Sequence, residues 1–169
     1  LTITGTTTLT TSANNATIVL NTTTNSFTGA VALNTTGSSG DARIDNGTTA
    51  LILAASSVGG NLNVRSGNSI TDSGTVTVGQ AFFATTDANN GVINLDQLAI
   101  NNGIHLRTHG NGNATAVNDA GFLFGSAGST VGGNLSVTAT TGNITDNNSG
   151  SVTVAGTSSF TTSASNADI

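Results

Sequence analysis

Apolar residues alternate with Thr, Ser, Asn, Ala or His in short triplets along the whole chain: "LTI" (1–3), "VAL" (31–33), "LIL" (51–53), "LNV" (62–64), "VTV" (76–78), "IHL" (104–106), "FLF" (122–124), "LSV" (135–137) and "VTV" (152–154). A period of two places alternate side chains on opposite faces of a strand, so each triplet predicts a strand with one buried face. The stretches between them, such as "TGSSGD", "ANNG", "HGNGN" and "TTGN", are rich in residues that accept tight or left-handed turns. No stretch carries apolar residues at helical spacing, and no significant helix is expected.

The strand text repeats itself. "LTITGTTTLTTSANNATI" (1–18) aligns without a gap with "VTVGQAFFATTDANNGVI" (76–93) and with "VTVAGTSSFTTSASNADI" (152–169). In the first of these alignments Leu9 meets Ala84, with Phe83 one place earlier as its large apolar counterpart. "VGGNLNV" (58–64) recurs as "VGGNLSV" (131–137), "VAL" (31–33) lies over "IHL" (104–106), and Ile70-Thr71-Asp72 answers Ile144-Thr145-Asp146. The chain therefore divides into repeat 1 (1–75), repeat 2 (76–151) and the start of a third (152–169), in one segment, 1–169. Both ends fall at the same phase of the repeat, and Leu1 begins inside a strand pattern with no leader before it, so the sequence reads as a window on a longer, uncapped fibre.

Strands too short to make a sheet with their sequence neighbours are best satisfied by coiling, each turn stacking its strands on the turn before. The spacing predicts a parallel β-helix, or β-solenoid, with a triangular coil of about 19–25 residues and three or four coils per repeat. Val, Ile, Leu and Phe are expected to form inward ladders, with Phe27, Phe83, Phe122, Phe124 and Phe160 filling wider parts of the core. Outward Thr suits an exposed pleat.

Composition fits this shape better than that of an enzyme. Charged residues are 7% and aromatic residues 4%, against roughly a quarter charged in an ordinary domain. Thr, Asn, Gly and Ser together exceed half of the chain, yet 36% is hydrophobic and the net charge is only −5, which argues against a disordered polar tract. There is no Cys, hence no disulfide. Three arginines and no lysine provide no basic face for nucleic acid, and no apolar run is long enough for a membrane helix.

"NNATIVLN", "NSFTGAV" (25–31), "STVGGNLSVTA" (129–139), "GNIT" (142–145) and "GSVTVAGTSSFTTSA" resemble the repetitive rods of filamentous-haemagglutinin-like exoproteins, the large adhesins exported by two-partner secretion. The resemblance covers nearly the whole chain and is weakest over 107–121. It implies a right-handed parallel β-helix, export through an outer-membrane secretion partner to the bacterial surface or matrix, and a role in adhesion or biofilm cohesion. Expected partners are neighbouring repeats of the same fibre, joined covalently or stacked end to end, and surface or matrix carbohydrates.

No catalytic residue, cofactor or metal ligand is expected. The eight acids are all Asp and stand singly; Asp72 and Asp146 read as strand-end turn residues. A β-helix lyase would need basic groups against an acidic sugar, and few exist. His105 and Arg107 should face solvent, with His109 in the following turn, a spacing that suits a metal on a helix and not here. "VGGNL" lacks the Asp of calcium-binding β-rolls. Asn-x-Ser/Thr triplets at Asn15, Asn21, Asn34, Asn46, Asn113, Asn134, Asn143 and Asn147 are candidate glycan acceptors in an exported chain. The alternatives to a structural rod are a lyase-like β-helix enzyme and an ice-binding solenoid, the latter opposed by Asn63, Ser136 and His105 where a strict array needs Thr.

Overall fold

A computed structural model describes all residues, 1–169. It contains no helix and 21 strands of two to eight residues, all paired in parallel. Ten strands form a first sheet, nine a second, and Thr2–Ile3 pairs with Ser26–Phe27 in a small third. The fold is a parallel β-solenoid. Seven strands of the second sheet follow one another in a single path, from Ile18–Leu20 to Ile144–Asp146, one per coil. A step from one coil to the next is as short as Leu51 to Ile70 and as long as Thr7 to Val31, both inside the coil length that the strand spacing predicts. With about 4.8 Å per rung, seven coils make a rod about 34 Å long.

Alternation along each strand is what builds the core. Ala42, Leu62, Phe82, Ile104 and Phe124 stack in register from the second sheet, and Leu51, Ile70, Ile93, Ala114 and Leu135 from the first. All belong to one cluster of 31 buried residues between the sheets. Burying each large aliphatic side chain contributes roughly 1.5–3 kcal/mol.

The expected triangle is modified. The coil from Leu51 to Ser66 does contain three segments, Leu51–Leu53, Ser56–Val58 and Leu62–Ser66, but the first two belong to one hydrogen-bonded sheet. In the coil where Ile93–Ile100 runs through that bend as one strand, the register slips between Leu95 and Leu98. The solenoid is thus walled by two long sheets. Below Ile93–Ile100 the bend divides strands of the first sheet, at Leu51–Val58 and Ile70–Val78; above it the bend divides strands of the second, at Phe122–Val131 and Ile144–Val154.

That change of side follows from the repeat, which does not restore the same wall. From Leu62 the second sheet climbs three coils, through Phe82 and Ile104 to Phe124; the repeat equivalent of Leu62 is Leu135, half a coil further on and in the first sheet. The same exchange occurs for Val31–Thr36 against Gly103–Arg107, Leu51–Leu53 against Phe122–Phe124, and Ile70–Asp72 against Ile144–Asp146. One repeat is therefore three and a half coils, and two repeats are seven. Residues 158–162 return to the first sheet, where their equivalents in Thr7–Asn14 lie.

One phenylalanine departs from expectation. Phe82 is the fully buried residue of its pair; Phe83 is on the outer face, and the register makes Ala84 the inward equivalent of Leu9. Phe27 and Phe122 are fully buried and Phe124 nearly so. Phe160 pairs with Val137 in the last coil, partly uncovered, and meets Phe124 edge-on at 6.0 Å.

The turns explain which repeat letters are kept. Asn15, Asn90 and Asn166, equivalent by alignment, all adopt a left-handed backbone (φ 61°, 53° and 62°), tolerated best by Gly and Asn. In "VGGN", a Cβ on Gly59 would overlap the Gly37 carbonyl oxygen, and one on Gly132 would overlap that of Gly110. Only glycine permits the coils to approach there.

Candidate functional surfaces

Corner Asp and Asn side chains form a ladder of their own. Asp41 Oδ1 accepts from the Asn61 N–H (2.7 Å), and Asn61 Oδ1 accepts from the Ala81 N–H (3.1 Å). Likewise Asn113 accepts from Asn134 (2.7 Å) and Asn134 from Thr157 (2.9 Å). Each side chain satisfies a backbone donor of the next coil that the bend leaves unpaired.

Two asparagines perform the same task inside the core. Asn46, fully buried, accepts from the Phe27 N–H (2.7 Å) and donates to the carbonyls of Phe27 (3.0 Å), Thr49 (3.2 Å) and Ala50 (2.9 Å). Asn118, also fully buried, accepts from the Ile100 N–H (2.9 Å) and donates to the carbonyls of Ile100 and Gly121 (2.7 Å each). In each case a side-chain amide replaces a strand residue in pairing with the coil below. This overturns the reading of Asn46 as an exposed glycan acceptor: both of its polar atoms are committed and it has no contact with solvent. Asn15, Asn21, Asn113, Asn134 and Asn143 are exposed, and Asn34 and Asn147 half-buried.

His105 also departs from expectation. It lies on the outer face, as the alternation requires, yet is only 3% exposed. Its ring stacks on Phe83 (centroids 4.3 Å apart, planes 4° from parallel), covers Gly125, where a Cβ would clash with it, and sets Nδ1 3.3 Å from the Gly128 carbonyl oxygen. Burial lowers its pKa below 6.5; the Arg107 charge acts in the same direction and the Gly128 contact opposes it. Triplet alternation gives the face correctly and cannot show that neighbours one coil either way roof it. Arg107 is exposed, its guanidinium donating to the Ala127 carbonyl (2.9 Å), and exposed His109 follows in the turn.

Asp146 caps a turn at the Asn148 N–H (2.9 Å), the role its place at a strand end suggests. Asp72 accepts from the N–H groups of Asp96 (3.1 Å) and Gln97 (3.0 Å) one coil above. Its pKa is raised, first by burial and then by the neighbouring Asp96 carboxylate, against those two hydrogen bonds. This acid pair joins neighbouring coils and depends on the local coil length, which sequence spacing alone does not fix. All three arginines and His105 are on strands of the other sheet, so no base adjoins the pair. Arg65 is clasped by Asp87 (Nε to Oδ2, 2.6 Å) and Asp45 (3.7 Å). No group of three or more His or Asp side chains converges.

Apart from Arg43, Asp119 and Asp168, which are exposed, the rest of the surface is uncharged and repetitive. Along the first sheet Ile52, Thr71, Asn94, Thr115, Ser136 and Ser159 stand in one outward column. At one corner a shallow groove of about 350 Å³ is lined by Asn61, Gln80, Asn102 and Asn147, with buried His105 beneath them.

Strands that coil on themselves, a core of ladders and a surface of hydroxyls and amides define a tandem-repeat β-solenoid. The chain belongs to the family described as Repeats of unknown function (DUF5649), which matches residues 1–34, 39–103 and 111–169. No curated protein and no solved structure matches it.

Proposed function

We propose that this chain is a non-enzymatic structural and adhesive segment of a secreted bacterial fibre, acting at the cell surface or in the extracellular matrix. The observation that carries this reading is the uninterrupted stack of seven coils whose side-chain ladders continue from coil to coil. Such a stack sets length and holds a repeated surface rigidly. The corner groove lined by Asn61, Gln80, Asn102 and Asn147 supports neutral carbohydrate as a ligand class, since amides donate to and accept from sugar hydroxyls; individually weak contacts gain avidity when repeated along a fibre. The resemblance to filamentous-haemagglutinin-like exoproteins supports export by two-partner secretion, and neighbouring repeats, covalent or stacked end to end, as partners. Negative-stain electron microscopy together with binding to neutral polysaccharides and to biofilm matrix tests the proposal. Thin particles of constant width that bind matrix are expected. Turnover of a polysaccharide, or thermal hysteresis in ice, would replace this reading with the lyase or the ice-binding one.

A further inference from the structure

We infer that the rod associates side by side with further copies of this chain, the first sheet of one copy against the second sheet of the next. The inference rests on reading the chain as a rod and adds a lateral contact to it. Charge, area and fit each support it.

Arg43, Arg65 and Arg107 all stand on strands of the second sheet. The same sheet carries acids too: Asp45 and Asp87 engage Arg65 within the chain and Asp146 lies on its last coil, so the cations it leaves free are Arg43 and Arg107, which form no ion pair and are exposed. Asp72, Asp96 and Asp119 stand on or beside strands of the first sheet, with no cation among them. Contact between unlike sheets brings these groups together, whereas contact between two first sheets sets acids against acids.

Seven rungs at about 4.8 Å, with strands of up to eight residues in the first sheet and of three to five along the second, at about 3.3 Å per residue, give faces of roughly 600–800 Å² and 350–550 Å². The narrower face limits the contact, so a pair buries roughly 700–1,100 Å², the size of weak associations, which repetition along a rod strengthens.

Because one repeat spans three and a half coils, equivalent backbone is presented alternately by the two sheets, and rungs on one face match rungs on the other. Each face also points apolar side chains outward among its hydroxyls: Ile52, Ala99 and Val117 on the first sheet, Val19, Phe83 and Leu123 on the second. A contact of unlike faces leaves one free face on each outer copy, so it propagates into stacks of rods without closing.

Charge exchange on the full chain tests this. One variant carries Arg43→Glu and Arg107→Glu, the other Asp96→Lys and Asp119→Lys, and circular dichroism confirms that both fold. In low salt the unaltered chain is expected to widen with concentration, by sedimentation and by particle width in micrographs. Each variant alone should associate about fivefold more weakly or worse, and an equimolar mixture should recover association. A chain that stays one rod wide, or lengthens without widening, overturns the inference while leaving the rod reading intact. Variants that associate as well as the unaltered chain, or a mixture that recovers nothing, also overturn it. Particles that are not rods at all would refute the underlying reading instead.

Discussion

Replacing Asn118 with Ala should be among the most damaging single changes in this molecule. The side chain pairs with both backbone groups of Ile100 and with the Gly121 carbonyl, at 2.7–2.9 Å, and it is fully buried. Truncation orphans one N–H and two C=O groups. Water cannot replace the amide without opening the wall between Ile100 and Phe122, both fully buried. Leaving one buried donor or acceptor unsatisfied costs about 1–3 kcal/mol, and relaxation is shared among the three, so the expected loss is about 3–5 kcal/mol. Urea unfolding followed by circular dichroism measures it. Asn134→Ala is the control: its exposed oxygen serves one backbone donor, and about 1 kcal/mol or less is expected. Asn118→Asp sharpens the point. A carboxylate still accepts from the Ile100 N–H, but it faces two carbonyls with no proton to donate, so the variant should be as unstable as the alanine at pH 7 and recover in acid. A loss below about 1 kcal/mol for Asn118→Ala would refute the idea that this amide substitutes for a strand rung.

Gly59→Ala must push its coil away from the Gly37 carbonyl, which the new Cβ would overlap, and should lower stability by about 1–3 kcal/mol by the same unfolding measurement, while Gly5→Ala, with open space around it, should not. His105 has its folded pKa depressed below 6.5, so the folded state resists its protonation. Stability should fall as pH drops from 6.5 towards the folded value, and His105→Gln should remove that component of the pH profile. Asp72 has the opposite sign: its folded pKa is raised above 3.8, so the folded state favours the protonated acid. Stability should decline as pH rises from 3.8 through the raised value, and the difference between the unaltered chain and Asp72→Asn should show that slope; a flat difference would sink the assignment.

What the sequence makes legible depends on the range of the interaction. The triplets assign inward and outward positions correctly at Ile104, His105 and Leu106, since facing is a property of neighbouring residues along one strand. The same pattern puts His105 in solvent, because its cover comes from other coils: Phe83 on the preceding strand of the sheet and Gly125 beyond the next. The choice between Phe82 and Phe83 goes astray for a related reason. A gapless alignment of apolar letters leaves either ring free to be chosen, whereas the register with Leu62 and Ile104 decides which one points inward. Asn46 matches an acceptor triplet on three letters, and nothing local distinguishes a surface Asn-Gly-Thr from one whose amide is inserted between coils. The Asp72–Asp96 pair depends on a coil length that changes along the rod, from the short step Leu51 to Ile70 to the long one Thr7 to Val31.

The half-integral repeat is the feature with the widest consequence for how such a repeat rod can vary. A unit that spanned whole coils would be freely added or lost, since everything beyond the junction would only shift along the axis. Here one unit turns every later coil by half a turn, so the sheet that continues from the first wall becomes the second. The core tolerates this, because both walls offer inward Val, Ile, Leu and Phe at the same rung spacing. The outer surface does not, because Arg43 and Arg107 stand on one wall and Asp72 and Asp96 on the other. Adding or removing one unit would exchange the walls beyond the junction, setting acids on one side of it in line with arginines on the other, whereas a change of two units would leave each on its original side. Folding alone therefore tolerates a change of one unit, whereas any function of the faces requires changes in pairs of units.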